Sequence, residues 1–363
     1  MTHGKTPRHA KEERSPWHLD CGESDLLDHL SRLGKLSRAP HQNRLVQAVW
    51  SAPGFARVVH LCPTVYVGHP SKPPLLPRRQ LCRRNIVKKE LVPITAKDAN
   101  FQHIETLRRN RKKRSKEGVF VVDSVRAINL LVGNDQWEVD AFVYPRTRTL
   151  SDWARALIDG DRARVYYEVD DDLFHELCER EESQEIIALA KIPEDSDARI
   201  SIREDRKPLI LFMDRPNLPG NLGTLIRSCD AFGVDGVVVF GHAADLYEPQ
   251  TVRASLGTLF ALPVIRMFTW EEVDHLLERV RAVHPDAQVI GSSAQAHAHP
   301  EDLALTRATF LIVGNETKGM CQGFADRVDE SACIPMQGAA SSMNMACAAT
   351  TLLYEVSRQR RVR

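Results

Sequence analysis

The chain has 363 residues, of which 43% are hydrophobic, so it can bury the cores of two domains. Its net charge of +1 conceals an asymmetry. Residues 1–116 carry 24 basic and 9 acidic side chains, a net charge of +15, whereas the remainder carries 25 and 39, a net charge of −14. The basic front part indicates a polyanionic partner, and we favour nucleic acid over a solvated basic tail without a specific partner.

Several classes of protein do not fit the composition. No apolar stretch approaches the roughly 20 residues of a membrane helix, and the N-terminus lacks the apolar centre of a secretory signal. The eight cysteines are scattered and form no CxxC pair, so the sequence predicts neither a disulfide framework nor a zinc site. We expect a cytoplasmic protein with no membrane contact and no bound metal.

The chain divides into four parts. Residues 1–97 show no sustained hydrophobic period, and we interpret them as a flexible basic extension. Residues 98–196 alternate strands with helices, which predicts a small α/β domain with a mainly parallel sheet. A polar linker over 197–207 then leads to a second α/β domain over 208–363.

The small domain opens with a strongly basic segment, HIETLRRNRKKRSKEG, predicted to be one helix that ends at Gly118. Basic residues surround this helix instead of occupying one face, so we favour phosphate contact over plain solvation. The predicted RNA-binding residues are Arg108, Arg109, Arg111, Lys112, Lys113 and Arg114.

Two stretches of the second domain combine glycines with polar residues after an apolar strand. The first, NLPGNLGTLIR, ends at Arg227, which is either a structural ion-pair partner or an anion-binding residue. Its glycines do not form the GxGxxG pattern, so a dinucleotide site is not supported. In the second, FLIVGNETKG, Glu316 is either a ligand contact or a turn residue. A turn flanked by glycines suits a flat, uncharged ring.

A third stretch, IPMQGAASSMNM, is predicted as a strand end over 334–336, a loop of small residues and the start of the last helix. Ser341 or Ser342 is the predicted N-cap, and Ser342 and Asn344 lie near the positive end of the helix. A strand end followed by a helix N-terminus is where open α/β sheets bind ligands. An ordinary core strand and a capped helix are the alternative.

In this order and spacing, the three stretches resemble the motifs of the SpoU (TrmH-like) family of RNA ribose methyltransferases. The resemblance covers residues 208–358, and the small domain resembles the family's ribosomal-protein-like RNA-binding domain. It implies a knotted (trefoil) α/β methyltransferase fold, S-adenosylmethionine (AdoMet) as the cofactor, and a homodimer.

The resemblance also implies roles for single residues. Arg227 matches the key catalytic residue of the first motif, and the arginine reaches across the subunit interface in family members. The implied catalytic residues are Arg227, Asn221, Glu316, Ser342 and Asn344. The implied cofactor-binding residues are Gly314, Asn315, Gly319, Ile334, Met336 and Met343.

The expected reaction is methyl transfer from AdoMet to a ribose 2′-hydroxyl of RNA. We favour ribosomal RNA because the separate basic α/β domain resembles that of rRNA-modifying members, with transfer RNA as the alternative substrate. A non-catalytic RNA-binding relative is the competing class. It is disfavoured because Arg227, Ser342 and Asn344 are all present.

Overall fold

In the computed structural model, residues 89–178, 184–340 and 342–361 are described. The predicted extension therefore lies outside the described residues, apart from its last nine positions. No helix in the described ranges has the length and apolar character needed to span a membrane.

The small domain contains one five-stranded sheet. Its strands are β1 (Glu90–Ile94), β2 (Val119–Val122), β3 (Val139–Pro145), β4 (Val165–Val169) and β5 (Ile187–Lys191). Its helices are α1 (Ala99–Arg109), α2 (Arg111–Glu117), α3 (Val125–Gly133), α4 (Asp152–Asp159) and α5 (Asp171–Leu177). Because β1 pairs with β4, the domain begins before the predicted boundary at residue 98.

The strand order of this sheet is β1-β4-β3-β5-β2. The β1–β4 and β3–β4 pairs are parallel, whereas β5 runs antiparallel to both β3 and β2. The prediction of a mainly parallel sheet is therefore wrong. A strand buried on both faces has the same apolar run in either direction, so its pattern does not reveal the direction of pairing.

The basic segment forms two helices instead of one. Asn110 is extended, with φ −118° and ψ 106°, and it ends α1 and caps α2 by accepting a hydrogen bond from the backbone N–H of Lys113. Gly118 ends α2 in the left-handed conformation at φ 64°, as the prediction required. The break was missed because an asparagine inside a helical pattern also serves as an N-cap.

The second domain contains a six-stranded sheet. Its strands are β6 (Leu209–Asp214), β7 (Gly236–Phe240), β8 (Val264–Met267), β9 (Gln288–Ser292), β10 (Thr309–Val313) and β11 (Glu330–Ala332). Its helices are α6 (Pro219–Ala231), α7 (Pro249–Ala254), α8 (Trp270–Val283), α9 (Gln322–Ala325) and α10 (Met345–Arg361). The strand order is β11-β9-β10-β6-β7-β8, and every neighbouring pair is parallel.

Two predicted elements of this domain differ from the structure. Strand β11 ends at Ala332, so 334–336 is a loop and not a strand end. The sequence pattern predicts one helix from Pro249 to Phe260, but α7 ends at Ala254, because Leu256 and Gly257 both have positive φ angles and a 3-10 turn follows. Thr269 followed three residues later by Glu272 predicts a capping box, and the structure confirms it at the start of α8.

One hydrophobic core runs through both domains. Phe120 from the small domain packs 4.8 Å from Tyr247, and Trp137 packs 4.8 Å from Phe260, measured between ring centroids. Gly257 lies so close to the small domain that a Cβ there would be 2.7 Å from Cα of Ala127. The two domains are therefore joined by close packing as well as by the chain.

The linker is docked on the second domain. Ile200 is buried in a core cluster on the face of the sheet that α8 covers. Just before the linker, Asp195 accepts hydrogen bonds from the backbone N–H and the guanidinium of Arg266. The polar composition of the segment did not reveal these contacts, because only two apolar residues, Ile200 and the partly buried Ile202, anchor it.

Candidate active site

Three loops meet at one edge of the second sheet. They follow β6, β10 and β11, and the three sequence motifs lie in these loops and in the strand and helices that adjoin them. Strands β6 and β10 are parallel neighbours, so their carboxyl ends lie side by side. This edge is where open parallel sheets bind their ligands.

Asn221 on α6 connects the three motifs. Its Nδ2 donates to Oε1 of Glu316 at 3.2 Å, and its Oδ1 accepts from Nδ2 of Asn344 at 3.1 Å. The second carboxylate oxygen of Glu316 accepts from the backbone N–H of Asn217 at 3.4 Å. Glu316, Asn221 and Asn344 thus form one continuous hydrogen-bonded unit, the Glu316–Asn221–Asn344 relay.

Asn344 also caps the last helix. Its Oδ1 accepts from the backbone N–H groups of Ala346 and Cys347 at 2.9 and 3.3 Å. Ser342 is exposed and two residues before this cap, so its predicted role as N-cap is wrong; Ser341 lies outside the described residues. Asparagine is as good a cap as serine, and sequence alone did not separate them.

The turn after β10 is organised by Asn315. Its Nδ2 donates to the carbonyl of Arg215 at 2.7 Å, and its Oδ1 accepts from the backbone N–H groups of Thr317 and Lys318 at 3.0 Å. Gly314 allows the turn to fold back, since a Cβ there would lie 2.4 Å from the backbone nitrogen of Met320. The described contacts of Asn315 therefore hold the turn that presents Glu316.

The loop between β11 and α10 offers apolar side chains and backbone groups to a ligand. Met336 and Met343 are each 39% exposed, so this loop presents apolar side chains at the site. Within the described part of the loop, residues 335–343 form no backbone–backbone hydrogen bonds, so their N–H and C=O groups are available to a ligand. Apolar contacts combined with backbone donors and acceptors match a flat, uncharged ring with a polar edge.

Arg227 and Ser342 stand apart from the relay. Arg227 lies six residues after Asn221, about 9 Å further along α6. Its side chain is exposed and forms no hydrogen bond or ion pair with any residue in the described ranges. Ser342 is likewise exposed and has no hydrogen-bond partner there. The single chain therefore brings three of the five implied catalytic residues together. The other two, Arg227 and Ser342, have no hydrogen-bond partner among the described residues.

Sequence reasoning missed the role of Asp214 at the end of β6. Asp214 is fully buried and accepts from the guanidinium of Arg215 at 2.7 and 3.0 Å and from the backbone N–H of Cys321 at 2.7 Å. This carboxylate ties the loops after β6 and β10 together beneath the relay. An acidic residue ending an otherwise apolar strand was the available signal.

The predicted RNA-binding residues separate into two groups. Arg108 is 5% exposed and donates to Asp123, and Arg114 is 3% exposed and donates to Asp245 of the second domain at 2.6 Å. These two arginines are structural, so their prediction as RNA contacts is wrong. They were misassigned because a buried arginine and an exposed one look the same in a basic run. The remaining residues, at positions 109, 111, 112 and 113, are exposed or half-buried.

Comparison with known proteins places both domains in one family. Residues 208–354 match the SpoU rRNA Methylase family, and residues 98–188 match the SpoU L30e-like domain. The 23S rRNA (uridine(2479)-2'-O)-methyltransferase of Streptomyces viridochromogenes is 41% identical over 268 residues, covering 74% of this chain and 92% of that protein. The 23S rRNA (guanosine(2553)-2'-O)-methyltransferase RlmP of Bacillus subtilis is 29% identical, covering 68% of this chain and 91% of that protein.

A solved structure agrees with these matches. The SpoU methyltransferase AviRb from Streptomyces viridochromogenes, crystallised with AdoMet, superposes with a TM-score of 0.67. It is 40% identical, and the match covers 73% of this chain and 98% of that one.

Fold, relay and comparisons together define an RNA ribose 2′-O-methyltransferase that uses AdoMet as its methyl donor. The chain belongs to the SpoU rRNA Methylase family. The predictions of family, fold class, reaction and cofactor are confirmed.

Proposed function

We propose that this protein methylates a ribose 2′-hydroxyl of ribosomal RNA. The observation that carries the proposal is the Glu316–Asn221–Asn344 relay, which joins all three family motifs at the ligand edge of a parallel sheet. Both relatives described above have 23S rRNA in their names, which supports ribosomal RNA over transfer RNA. The packed small domain supports the same substrate, because it matches a SpoU L30e-like domain.

The protein contributes mainly alignment to this reaction. AdoMet would supply an electrophilic methyl group: the carbon–sulfur bond breaks as the 2′-oxygen bonds to the methyl carbon, the sulfur leaves as a neutral thioether, and the hydroxyl proton passes to solvent water. The loop over 335–343 holds the adenosine through backbone groups that have no backbone partner in its described part, and the relay fixes this loop relative to α6. Holding the hydroxyl in line with the methyl group supplies most of the rate gain.

Arg227 binds the RNA phosphate next to the target ribose and thereby orients the hydroxyl. A guanidinium stays protonated at neutral pH, so Arg227 does not act as the general base. Its planar fork pairs with two phosphate oxygens at once, which a lysine cannot do. The side chain of Arg227, exposed and unpaired among the described residues, supports this role.

The proposal includes the family's assembly. A homodimer would bring Arg227 of one subunit to the relay of the other, and the exposed Leu218, Met336 and Met343 would then be covered. The trefoil knot of the family's cofactor loops and a cytoplasmic location belong to the same proposal. The domain roles follow it too, with the small domain binding RNA and the second domain binding AdoMet.

The test is methyl transfer from labelled AdoMet to unmodified ribosomal RNA or bulk transfer RNA, followed by mapping of the 2′-O-methyl product. We expect methylation of ribosomal RNA that is lost in Arg227→Ala. Methylation of transfer RNA alone would overturn the substrate. Binding of RNA without transfer to either RNA would support the non-catalytic relative.

A further inference from the structure

A cleft of about 370 Å³ opens between the two domains beside the relay. Arg109 and Arg111 line it from the small domain, and Asn217, His242 and Glu248 line it from the second domain. Asn217 also donates its backbone N–H to Glu316. The cleft therefore adjoins the site of methyl transfer.

The walls of the cleft are held in fixed positions. The guanidinium of Arg114 donates twice to Oδ2 of Asp245, at 2.6 and 2.9 Å, and this pair is buried. Arg111 donates to the carbonyl of Ala243 at 2.8 Å, and Ala244 donates its N–H to the carbonyl of Pro216 at 2.7 Å. These bonds join the basic segment, the loop after β7 and the loop after β6 into one frame.

The cationic groups of the cleft suit a phosphate. The side chain of Arg109 is 75% exposed, and its carboxylate partner Glu105 is 3.3 Å away on the same helix. Such an exposed pair is weak, so Arg109 is available to another anion. Arg111 is oriented by its bond to Ala243, which leaves further N–H groups of its guanidinium able to donate. Because Arg114 and Asp245 neutralise each other, Arg109 and Arg111 dominate this wall.

The residues that line the cleft from the second domain suit a base. His242 is exposed and forms no hydrogen bond, ion pair or ring contact with any described residue, so its ring is available for stacking. Glu248 immediately precedes α7, but its side chain does not cap the helix. This side chain accepts no hydrogen bond from any described residue. A carboxylate repels phosphate and only accepts hydrogen bonds, so Glu248 suits the amino group of a base.

We propose that this cleft binds one unpaired nucleotide of the substrate RNA, adjacent to the nucleotide that is methylated. Its phosphate pairs with Arg109 and Arg111, its base stacks on His242, and an amino group of the base donates to Glu248. This inference rests on the proposed function. It assigns recognition of the base, and so specificity, to His242 and Glu248. It assigns binding of the phosphate to two arginines of the basic segment.

The test compares His242→Ala and Arg109→Ala with wild type in binding unmodified 23S ribosomal RNA. We expect His242→Ala to raise the Kd for RNA about tenfold, as removal of a stacking side chain does. Arg109→Ala should weaken binding and reduce the slope of log K against log salt by about 1. The Kd for AdoMet and the Tm should not change. RNA affinities within twofold of wild type for both variants would overturn the proposal, and so would equal losses of AdoMet affinity.

Matched controls are available on α8. That helix covers the opposite face of the second sheet, and its exposed His275 and half-exposed Arg281 lie outside the cleft. His275→Ala and Arg281→Ala should bind RNA as wild type does. If these controls lose as much RNA affinity as the cleft variants, the cleft has no special role.

Glu248→Ala separates base recognition from phosphate binding. Adenine and cytosine carry an exocyclic amino group and uracil does not, so wild type should bind short oligo(A) and oligo(C) more tightly than oligo(U). The variant should lose that difference, and a retained difference would refute the role of Glu248. RNA binding is measured without methyl transfer. Wild type that binds through the cleft but transfers nothing would therefore refute the proposed function alone.

Discussion

Asn344 donates a hydrogen bond of 3.1 Å to Asn221, although 123 residues separate them in the chain. Each amide side chain also makes a second contact, since Asn221 donates to Glu316 and Asn344 caps the helix that follows the loop after β11. An amide both donates and accepts, so asparagine can stand between two partners where a carboxylate cannot. The pair thus couples the start of α10 to the turn after β10.

Replacing Asn221 by alanine should uncouple this site. We expect Asn221→Ala to lower kcat about 30-fold, since it removes two hydrogen bonds of roughly 1 kcal/mol each, about 2 kcal/mol in total. The Tm should change little, because the relay lies at the half-exposed edge of the sheet. Asp230→Ala, an exposed truncation at the other end of α6, is the control for kinetics and thermal melting. Unchanged turnover in Asn221→Ala would mean that the relay does not order the site.

Arg227 offers a sharper test of chemistry. Arg227→Lys keeps the charge but loses the planar fork, so we expect a fall in kcat/KM of about tenfold or more. Folding stability should stay within about 0.5 kcal/mol of wild type, because the side chain is exposed and unpaired among the described residues. Urea unfolding measures the stability and methyl transfer the rate. A lysine variant with near-normal rates would refute bidentate phosphate binding.

The buried pair of Arg114 and Asp245 should carry much of the domain junction. Asp245→Ala leaves a charged guanidinium buried without its partner, which should lower the free energy of unfolding by about 3–5 kcal/mol. The double variant Arg114→Met with Asp245→Ala should recover a large part of the loss. Urea unfolding gives these values. Glu105→Ala, which breaks an exposed pair, is the control and should cost less than about 1 kcal/mol. Equal losses in Asp245→Ala and Glu105→Ala would contradict the assigned role.

Buried cysteines should react more slowly than exposed ones. Burial raises the pKa of the Cys178 thiol to about 11, and it also raises the pKa of the fully buried Cys229. Both thiols therefore stay neutral and unreactive at pH 8, and the reactive thiolate of Cys178 becomes abundant only as the pH approaches 11. Cys347 is exposed and should be alkylated by iodoacetamide before Cys178 and Cys229. Peptide mass spectrometry checks the order, and early modification of Cys178 in the folded protein would contradict it.

Local patterns predicted a large part of the fold. The apolar runs and glycine stops located most strands and helices of both domains, and Thr269 with Glu272 identified a cap. The same patterns did not predict the direction and register of strand pairing. The antiparallel β5 and the early end of β11 depend on which strands lie beside them, and a segment's own residues do not encode its neighbours.

In the basic segment, too, the sequence could not separate structural residues from candidate RNA contacts. Six cationic residues between 108 and 114 look equivalent in sequence, yet the fold buries two of them against carboxylates at positions 123 and 245. A carboxylate more than 100 residues away decides whether Arg114 is a structural residue or an RNA contact. No local spacing carries that information.

The sequence by itself determined the family, the reaction and the cofactor, because the three motifs each need particular residue types within a few positions. It also identified Asn221, Glu316 and Asn344 as candidate site residues. Only the tertiary structure decided that these three form one relay, that Asn344 is the cap, and that the two domains enclose a cleft. Those properties are distances between residues far apart in the chain, and such distances are set by how helices and sheets pack.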